Sequence, residues 1–540
     1  SLVQVVQALT TPVTAATRPP ARLWVVTQGA QQLAPTAAVA ITQSSLWGLG
    51  RVVALEHGDL WGGLIDVDPT LDPSATAQAL VTEILQPESA GEEQVAYRQG
   101  RRYVARLTPA QPTLTPHAPT IQREGAYLIT GGLGSLGLQS AQWLVAQGAR
   151  QLVITGRRGV QTPKQQAILD ALQAQGAAIQ IAQLDVADEH AMRQLFDSLA
   201  TATPPLRGII HAAGVAGAQA VRTLQWDELV RVLRPKVVGG WLLHRLSAPF
   251  TLDFFLAYSS GAGIWGSKQQ GHYAAANHFL DGLMAHRRSQ GLPGLSIAWG
   301  PWAGPQGLPS MASTEGQAML LAMGVRSFTP EQALAIQAYL LRTDAVQITA
   351  ADIEWPRLKA LYELTKPRRF LAKLAAEPTV VKPSTSETTG VTGVLQTLQA
   401  LAPGQWLAHL RDFVQQTVGQ VLGMTNLPER TTGFTDLGMD SLMALALRRQ
   451  LEEALQHSLP TTIAFEYPTV EQLADYLLAQ IQPRLGAPSH ASAADEPATR
   501  RGSAAAPSAS NDASTTQPIA IVSMACRFPG ADTPEAFWQL

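Results

Sequence analysis

The sequence predicts an α/β protein built around a parallel sheet and followed by a small all-α domain. Short runs rich in β-branched and aromatic residues alternate with amphipathic helical stretches from about residue 23 to residue 299. This alternation is typical of βαβ units. Helix-periodic runs then cover residues 406–422, 441–455 and 470–481, which predicts a small helical bundle.

Composition narrows the class of protein. The chain has 540 residues, more than one hydrophobic core usually serves, and its net charge of −2 argues against nucleic-acid binding. No apolar run is long enough to suggest a membrane span. The single Cys526 excludes an internal disulfide framework and a cysteine zinc cluster. No metal site is predicted. We therefore expect a cytoplasmic protein.

Two stretches divide the chain. Residues 377–390 and about 486–517 are rich in small, hydroxylated and proline residues, which cannot bury enough apolar surface to offset their ordering entropy. They are predicted to be flexible tethers. The predicted domains cover residues 1–118, 119–375, 403–484 and 517–540, with linkers at 376–402 and 485–516. The chain begins without methionine and ends inside an apparent element, so we expect a piece of a longer protein.

The predicted strands follow one another through the front part of the chain. They are Leu23–Thr27, Ala126–Thr130, Gln151–Thr155, Ile179–Leu184, Gly208–His211, Phe254–Tyr258 and Gly294–Trp299. The segment before Pro119 has the same rhythm without a glycine-rich loop. It is either a second α/β lobe that binds no cofactor or a separate domain truncated at its N-terminus.

A glycine-rich loop joins the strand at Ala126–Thr130 to an amphipathic helix. Glycines in a strand-to-helix turn let the backbone approach a pyrophosphate, and the helix N-terminus offers unpaired N–H groups to it. The alternative is a bare glycine turn. The predicted cofactor-binding residues here are Gly131, Gly132, Gly134, Ser135, Leu136 and Gly137.

The end of the next strand indicates which nucleotide binds. An NAD-binding fold places a carboxylate there for the ribose 2′-hydroxyl, whereas this chain has Arg157 and Arg158. Guanidinium groups suit a 2′-phosphate, so NADPH is predicted, the alternative being a solvated basic turn. Two later strand ends are predicted to line the same pocket, although each alone is typical of a turn. They contribute Asp185 and Val186, then Ala212, Ala213 and Gly214.

Four residues predict ketone reduction as a set. The alkoxide left by hydride transfer needs a proton, and Tyr273 can give it if a cation stabilises the phenolate. Lys236, 37 residues upstream, is the candidate cation, and Ser260, 13 residues before the tyrosine, can donate a second hydrogen bond. Asn277 lies one helical turn after Tyr273 and can hold the lysine through backbone or water. Taken singly, Lys236 is an ordinary surface lysine and Tyr273 a half-buried core tyrosine.

With these motifs in place, the chain resembles the ketoreductase domain of modular type I polyketide synthases. The resemblance covers residues 20–375. The motifs that carry it are "TGGLGSLG" at 130–137, "HAAG" at 211–214, "SS" at 259–260 and "YAAAN" at 273–277. It implies a Rossmann-type short-chain dehydrogenase/reductase fold, with a truncated cofactor-free Rossmann-like half carrying "SSLWGLGRVVALEH" at 44–57. The implied roles are Tyr273 as proton donor, Ser260 as oxyanion partner, Lys236 as pKa-lowering and ribose-binding residue, and Asn277 as support.

The same resemblance implies a stereochemical type. One class of these ketoreductases carries Leu-Asp-Asp after the HAAG motif, where this chain has Ala216-Gly217-Ala218. The other carries a tryptophan eight residues before the tyrosine, which is Trp265 here. This resembles the A-type, which gives an L-configured β-hydroxyl. Gln270 stands where the subclass that accepts an epimerised α-substituent has histidine, and the adjacent His272 is interpreted as a satisfied residue of the pocket rim.

The small module is acidic, with nine carboxylates against four arginines between residues 405 and 480. By position alone, Ser441 is an N-cap at the start of the central helix. The sequence "LGMDSLMALALR" at 437–448, however, resembles the acyl carrier protein signature, whose serine carries 4′-phosphopantetheine. The resemblance implies a four-helix carrier and a phosphopantetheinyl transferase that loads Ser441.

The tail, "PIAIVSMACRFPG" at 518–530, resembles the opening of a ketosynthase domain, in which Cys526 packs rather than reacts. The implied function is NADPH-dependent reduction of a carrier-bound β-ketoacyl thioester to the β-hydroxyacyl thioester, beside neighbouring synthase domains. Two alternatives remain open: a redox-silent scaffold that presents the carrier, and a free-standing dehydrogenase for small alcohols.

Overall fold

The computed structural model describes most of the chain. The described residues are 1–10, 22–34, 37–85, 91–116, 118–303, 314–363, 367–374, 397–398, 401–422, 424, 427–434, 437, 439, 441–455, 457, 459–460 and 463–485. Those up to residue 374 belong to one compact unit and those from 397 onward to a second. The ketosynthase-like tail with Cys526, and nearly all of both predicted linkers, lie outside the described residues.

The N-terminal part of the first unit has its own sheet. Its strands β1 (Leu23–Gln28), β2 (Trp61–Val67) and β3 (Gln94–Arg98) pair in parallel, and β4 (Arg101–Val104) returns antiparallel to β3. Its helices are α1 (Leu2–Thr10), α2 (Ile41–Glu56) and α3 (Pro73–Leu85). A second α/β lobe is therefore present, as one of the two open interpretations expected.

The main sheet has seven strands in the described part of the chain, all parallel, in the order β12-β10-β9-β8-β5-β6-β7. Buried apolar strands such as Ala126–Thr130 are expected where helices cover both faces of a sheet. The strands are β5 (Ala126–Thr130), β6 (Gln151–Gly156), β7 (Ala178–Gln183), β8 (Leu206–His211), β9 (Phe254–Ser260), β10 (Leu295–Trp299) and β12 (Gln347–Ala350). A small antiparallel ribbon joins β11 (Val325–Arg326) to β13 (Asp352–Ile353).

Helices pack on both faces of the main sheet and form a separate hydrophobic core on each. Several begin with local signals that the sequence provides: Thr162 and Gln165 form a capping box, as do Thr329 and Gln332. The helices are α4 (Ser135–Ala146), α5 (Pro163–Ala174), α6 (Glu189–Ala200), α7 (Trp226–Ser247), α8 (Ala262–Trp265), α9 (Gly271–Ser289), α10 (Thr314–Ala322), α11 (Pro330–Leu340) and α12 (Trp355–Tyr362). This arrangement confirms the predicted Rossmann-type fold.

The two lobes of the first unit share a core. Trp47 and Val52 of α2 pack in one cluster with Ala274 and Ala275 of α9. The helices approach so closely that a Cβ added at Gly48 would overlap the Ala274 carbonyl. The cofactor-free lobe therefore supports the helix that carries Tyr273.

The second unit is helical. It contains α13 (Trp406–Leu422), α14 (Ser441–Leu455), the short α15 (Ile463–Glu466) and α16 (Val470–Leu485), which confirm the three predicted periodic runs. Their buried apolar side chains form one core, including Leu410, Val414, Leu447, Leu473 and Leu477. Among the described residues of the whole chain, no helix combines the length and apolar character that crossing a bilayer requires.

Candidate active site

Tyr273 and Ser260 meet at the carboxyl edge of the main sheet. Ser260 is the last residue of β9, and Tyr273 lies in the first turn of α9. Their side chains are hydrogen-bonded to each other. Ser260 Oγ also accepts a hydrogen bond from the Ala262 amide at 3.3 Å, which fixes the hydroxyl in the turn after β9. Open α/β sheets bind ligands at this edge.

Lys236 reaches β9 from α7 and is 5% exposed. Its Nζ donates to the Tyr258 carbonyl at 2.7 Å, and its Cε would lie 2.8 Å from a Cβ at Gly214, so a side chain there would displace it. Burial lowers the pKa of Lys236 to about 8, while the Asp281 carboxylate acts in the opposite direction. Lys236 is thus a buried cation and not the surface lysine of the alternative interpretation.

The pKa of Tyr273 moves in the direction opposite to the one expected. Burial raises it, and the hydrogen bonds with Ser260 and Asn277 act to lower it. Burial disfavours the phenolate because the charged form loses solvation. A lowering of this pKa by Lys236 stays a prediction.

Asn277 makes its direct hydrogen bonds to the backbone and side chains near the tyrosine, and a link to the lysine through water stays a prediction. Its Nδ2 donates to the Tyr273 carbonyl at 2.8 Å, and its own carbonyl accepts from Ser259 Oγ at 3.1 Å. These bonds tie the start of α9 to the end of β9. Asn277 Oδ1 is buried and has no hydrogen-bond partner among the described residues, so an acceptor remains available beside Tyr273.

Sequence reasoning missed a buried polar cluster behind this set. Asp281 accepts from Ser296 Oγ at 2.6 Å, and burial raises its pKa to about 6. Arg51, from the other lobe, donates to the Gly263 carbonyl at 2.5 Å and lies 3.1 Å from His278 Nδ1. The four-residue spacing from Asn277 to Asp281 on α9 is the one signal that could have indicated the carboxylate.

The glycine-rich loop turns tightly from β5 into α4 and packs against the segment that follows β8. Gly131 has φ +66°, which favours glycine, and a Cβ there would lie 2.7 Å from Ala213 Cα. The loop leads into α4 with Gly134 as its N-cap, and Ser135, Leu136 and Gly137 form the first turn. The N-terminus of α4 thus begins at this loop and offers N–H groups of the kind that bind phosphates, and dinucleotide binding here stays a prediction.

The other predicted cofactor residues lie where the neighbouring strands end. Arg157 and Arg158 follow β6 and are exposed, which leaves their charges accessible. The Ala212 amide continues the pairing of β8 with β5 by donating to the Thr130 carbonyl. Asp185 caps the turn after β7 by accepting from the Ala187 amide at 2.9 Å, whereas the Val186 side chain packs in the core.

The predicted stereocontrol residues lie in the connection between β9 and α9. Trp265 is the last residue of α8 and is half-buried, and Gln270 is buried at the N-cap of α9. His272 is fully buried, and its Nε2 lies 3.5 Å from Glu228 Oε1, with which it interacts. Its interpretation as a satisfied residue of the pocket rim stays a prediction.

Ser441 is the first residue of α14, which agrees with its predicted place at the start of the central helix. Within the described residues, no cluster of histidine, cysteine and carboxylate side chains has the arrangement of a metal site.

The fold and this site define a nucleotide-binding reductase of the short-chain dehydrogenase/reductase class. Family comparison matches residues 125–304 to the "KR domain", residues 1–107 to the "Polyketide synthase extender module SpnB, Rossmann fold domain", and residues 412–477 to the "Phosphopantetheine attachment site". A solved structure titled as A-type ketoreductases from a modular polyketide synthase is 34% identical, with a TM-score of 0.63, over 69% of this chain and 76% of that one. The chain belongs to the ketoreductases of modular polyketide synthases and also contains a carrier domain.

Curated relatives extend the similarity to most of the chain. The pikromycin polyketide synthase component PikAIII of Streptomyces venezuelae is 37% identical over 85% of this chain and 30% of its own length. The erythronolide synthase EryA3 of Saccharopolyspora erythraea is 35% identical over 96% of this chain and 16% of its own length. The chain thus spans under a third of either synthase. The family implies a nicotinamide cofactor, and the attachment domain implies 4′-phosphopantetheine.

Proposed function

We propose that this chain reduces a β-ketoacyl thioester to the β-hydroxyacyl thioester with NADPH, while its carrier domain holds the acyl chain on phosphopantetheinyl-Ser441. The observation that carries the proposal is the hydrogen-bonded pair of Ser260 and Tyr273, together with the buried Lys236, whose Nζ bonds to the Tyr258 carbonyl two residues before Ser260. A proton donor and a second hydroxyl converge there, as protonation of a ketone oxygen requires. This convergence argues against a redox-silent scaffold.

The protein's own groups act on the ketone oxygen. A nicotinamide cofactor held by the glycine-rich loop at 131–137 with Arg157 and Arg158 would supply a hydride to the β-carbon. Tyr273 donates its phenolic proton to the developing alkoxide, and Ser260 donates a hydrogen bond to the same oxygen. Lys236 stabilises the resulting phenolate electrostatically, and solvent returns the proton to Tyr273. Asn277 keeps the start of α9 in register with β9.

We assign the product the L configuration of the A-type. Trp265 is present and the Leu-Asp-Asp of the opposite class is absent. Solved structures titled as A-type and A1-type ketoreductases, 34% and 35% identical, support this assignment. Gln270, in place of histidine, favours a substrate whose α-centre has not been epimerised. The proposed partners are a phosphopantetheinyl transferase and neighbouring synthase domains, including a ketosynthase whose first residues would be the tail of this chain. The proposed location is the cytoplasm.

The rate of reduction is expected to fall as pH rises through about 8. The Lys236 ammonium stabilises the Tyr273 phenolate only while protonated, and burial brings its pKa to about 8. Below that pH the cation is present, and above it the neutral amine offers no charge. The measurement is the pH profile of kcat/KM in the full chain. A profile that stays flat from pH 7 to pH 9.5 would contradict this role of Lys236.

Replacing both Arg157 and Arg158 with alanine is expected to weaken NADPH binding at least about tenfold and to leave NADH binding nearly unchanged. Hydrogen bonds to a charged group contribute about 1.5–3 kcal/mol each, and only NADPH has a 2′-phosphate to receive them. Fluorescence titration with both nucleotides measures the effect. The matched control is Arg326→Ala, which removes an exposed arginine on the ribbon. Equal losses for both nucleotides would contradict the 2′-phosphate assignment.

Intact-protein mass spectrometry tests the whole proposal. The full chain is incubated with coenzyme A and a promiscuous phosphopantetheinyl transferase, then loaded with a β-ketoacyl group and given NADPH. A phosphopantetheine adduct on Ser441 followed by a gain of two hydrogens on the acyl chain is the expected result. An adduct without the gain would favour the redox-silent scaffold, and the absence of any adduct would remove the carrier assignment.

A further inference from the structure

The indole of Trp265 forms a wall beside the hydrogen-bonded pair. A Cβ added at Gly261 would overlap the six-membered ring of Trp265, so the ring lies directly on the residue that follows Ser260. A ring in that place limits the directions from which a ketone can present its oxygen to Ser260 and Tyr273. Its orientation therefore bears on which face of the ketone is reduced.

Three residues from the C-terminal part of the first unit hold this indole and its backbone. Trp355 meets the ring edge-on, with centroids 5.7 Å apart and an interplanar angle of 89°. The Tyr362 hydroxyl is hydrogen-bonded to the Trp265 side chain and donates to the Gly266 carbonyl at 2.8 Å. Arg368 lies over the Tyr362 ring at 5.9 Å, with Nη1 3.5 Å from the Trp265 carbonyl. We call Trp355, Tyr362 and Arg368 the C-terminal clamp.

Both sides of the turn are constrained. Gly266 has φ +83°, and a Cβ there would lie 2.9 Å from Leu55 Cδ1 of α2. On the other side of this turn, the Trp265 and Gly266 carbonyls accept hydrogen bonds from Arg368 and Tyr362. The Trp265 side chain is thus hydrogen-bonded, its ring contacts Trp355, and the next carbonyl along the chain accepts from Tyr362. Any other orientation of the indole would break several of these contacts at once, so one orientation is favoured.

We propose that the C-terminal clamp is a specificity-determining device, which fixes Trp265 in the orientation that selects one face of the ketone. Its members are positioning residues, since they act through Trp265. The inference rests on the proposed ketone reduction and extends it to residues about 90 to 100 positions downstream of the turn. Without the clamp the wall can tilt, and the competing face of the ketone becomes accessible.

The most informative variant is Tyr362→Phe in the full chain. It keeps the aromatic ring in the core and removes the hydroxyl that contacts both the Trp265 side chain and the Gly266 carbonyl. The substrate is a racemic α-methyl-β-ketoacyl N-acetylcysteamine thioester with NADPH, and chiral chromatography separates the four β-hydroxy stereoisomers. The share of minor stereoisomers is expected to rise about fivefold or more, because a lost buried hydrogen bond changes competing barriers by such a factor.

A second clamp variant and a control variant test whether the effect comes from the clamp. Trp355→Leu removes the edge contact and is expected to shift the stereoisomer ratio in the same direction. Tyr339→Phe removes an exposed hydroxyl, in a residue 46% exposed, and is expected to leave the ratio unchanged. A loss of rate with an unchanged ratio in both clamp variants would overturn the inference and leave the proposed reduction intact. Failure of the wild-type chain to reduce the thioester would instead overturn the proposed function, and the inference with it.

Discussion

Replacing Tyr273 with phenylalanine is expected to lower kcat for a small β-ketothioester by a factor of about 10² to 10⁴, the range that a positioned general acid contributes. The phenyl ring occupies nearly the same volume, so α9 should keep its packing on α2. The lost group is the hydroxyl that shares a hydrogen bond with Ser260. The loss of NADPH absorbance reports the rate of reduction.

Two controls separate chemistry from binding and folding. The Kd for NADPH, measured by fluorescence, should change less than about twofold, since the phenol is assigned to the ketone oxygen. Tyr339→Phe makes the same chemical change at an exposed position and should retain wild-type turnover. Undiminished turnover in Tyr273→Phe would remove the assignment of the proton donor.

Replacing Ser441 with alanine is expected to abolish the phosphopantetheine adduct and all reduction of a carrier-bound acyl chain. The prosthetic group needs the serine oxygen for its phosphodiester bond, and alanine has no atom that can form one. Alanine is also compatible with the start of a helix, although it gives up any N-cap contribution of about 1 kcal/mol. Intact-protein mass spectrometry after treatment with coenzyme A and the transferase gives the readout.

The same variant contains its own control. The ketoreductase lobes lie in a different compact unit from Ser441, so Ser441→Ala should reduce a diffusible N-acetylcysteamine thioester at the wild-type rate. An adduct of phosphopantetheine mass that persists in this variant would show that another residue is the attachment site.

The parts of the fold that local pattern determines were predictable. The strand Ala126–Thr130 is a continuous apolar run before a glycine-rich loop, and the structure gives it the same bounds. β2 was not predicted, because Gly62 and Gly63 interrupt its apolar run and glycine is uncommon inside strands. β12 has only four residues and no alternation of its own, so its place depends on pairing with β10.

The residues of the site likewise fall into those that local sequence predicts and those that only tertiary packing brings together. Ser260 and Tyr273 could be predicted together because a strand end, a glycine turn and a helix face lie within one short stretch of sequence. Arg51 could not, because it lies more than 200 residues from Gly263, whose carbonyl it binds, and in a different lobe. Asp281 was missed because a carboxylate in the middle of a helix is usually exposed, and only tertiary packing buries this one.

The close packing of α2 on α9 constrains how such a reductase can be recombined. A hybrid joined near residue 118 would set a foreign α2 against the native α9, where any side chain at position 48 collides with the Ala274 carbonyl. It would also have to supply a guanidinium at position 51 for the Gly263 carbonyl and His278. Hybrid proteins joined between the two lobes should therefore fold poorly. Hybrids that take both lobes from one parent should keep the packing of α2 on α9. The two lobes should therefore be exchanged between ketoreductases together, as one unit.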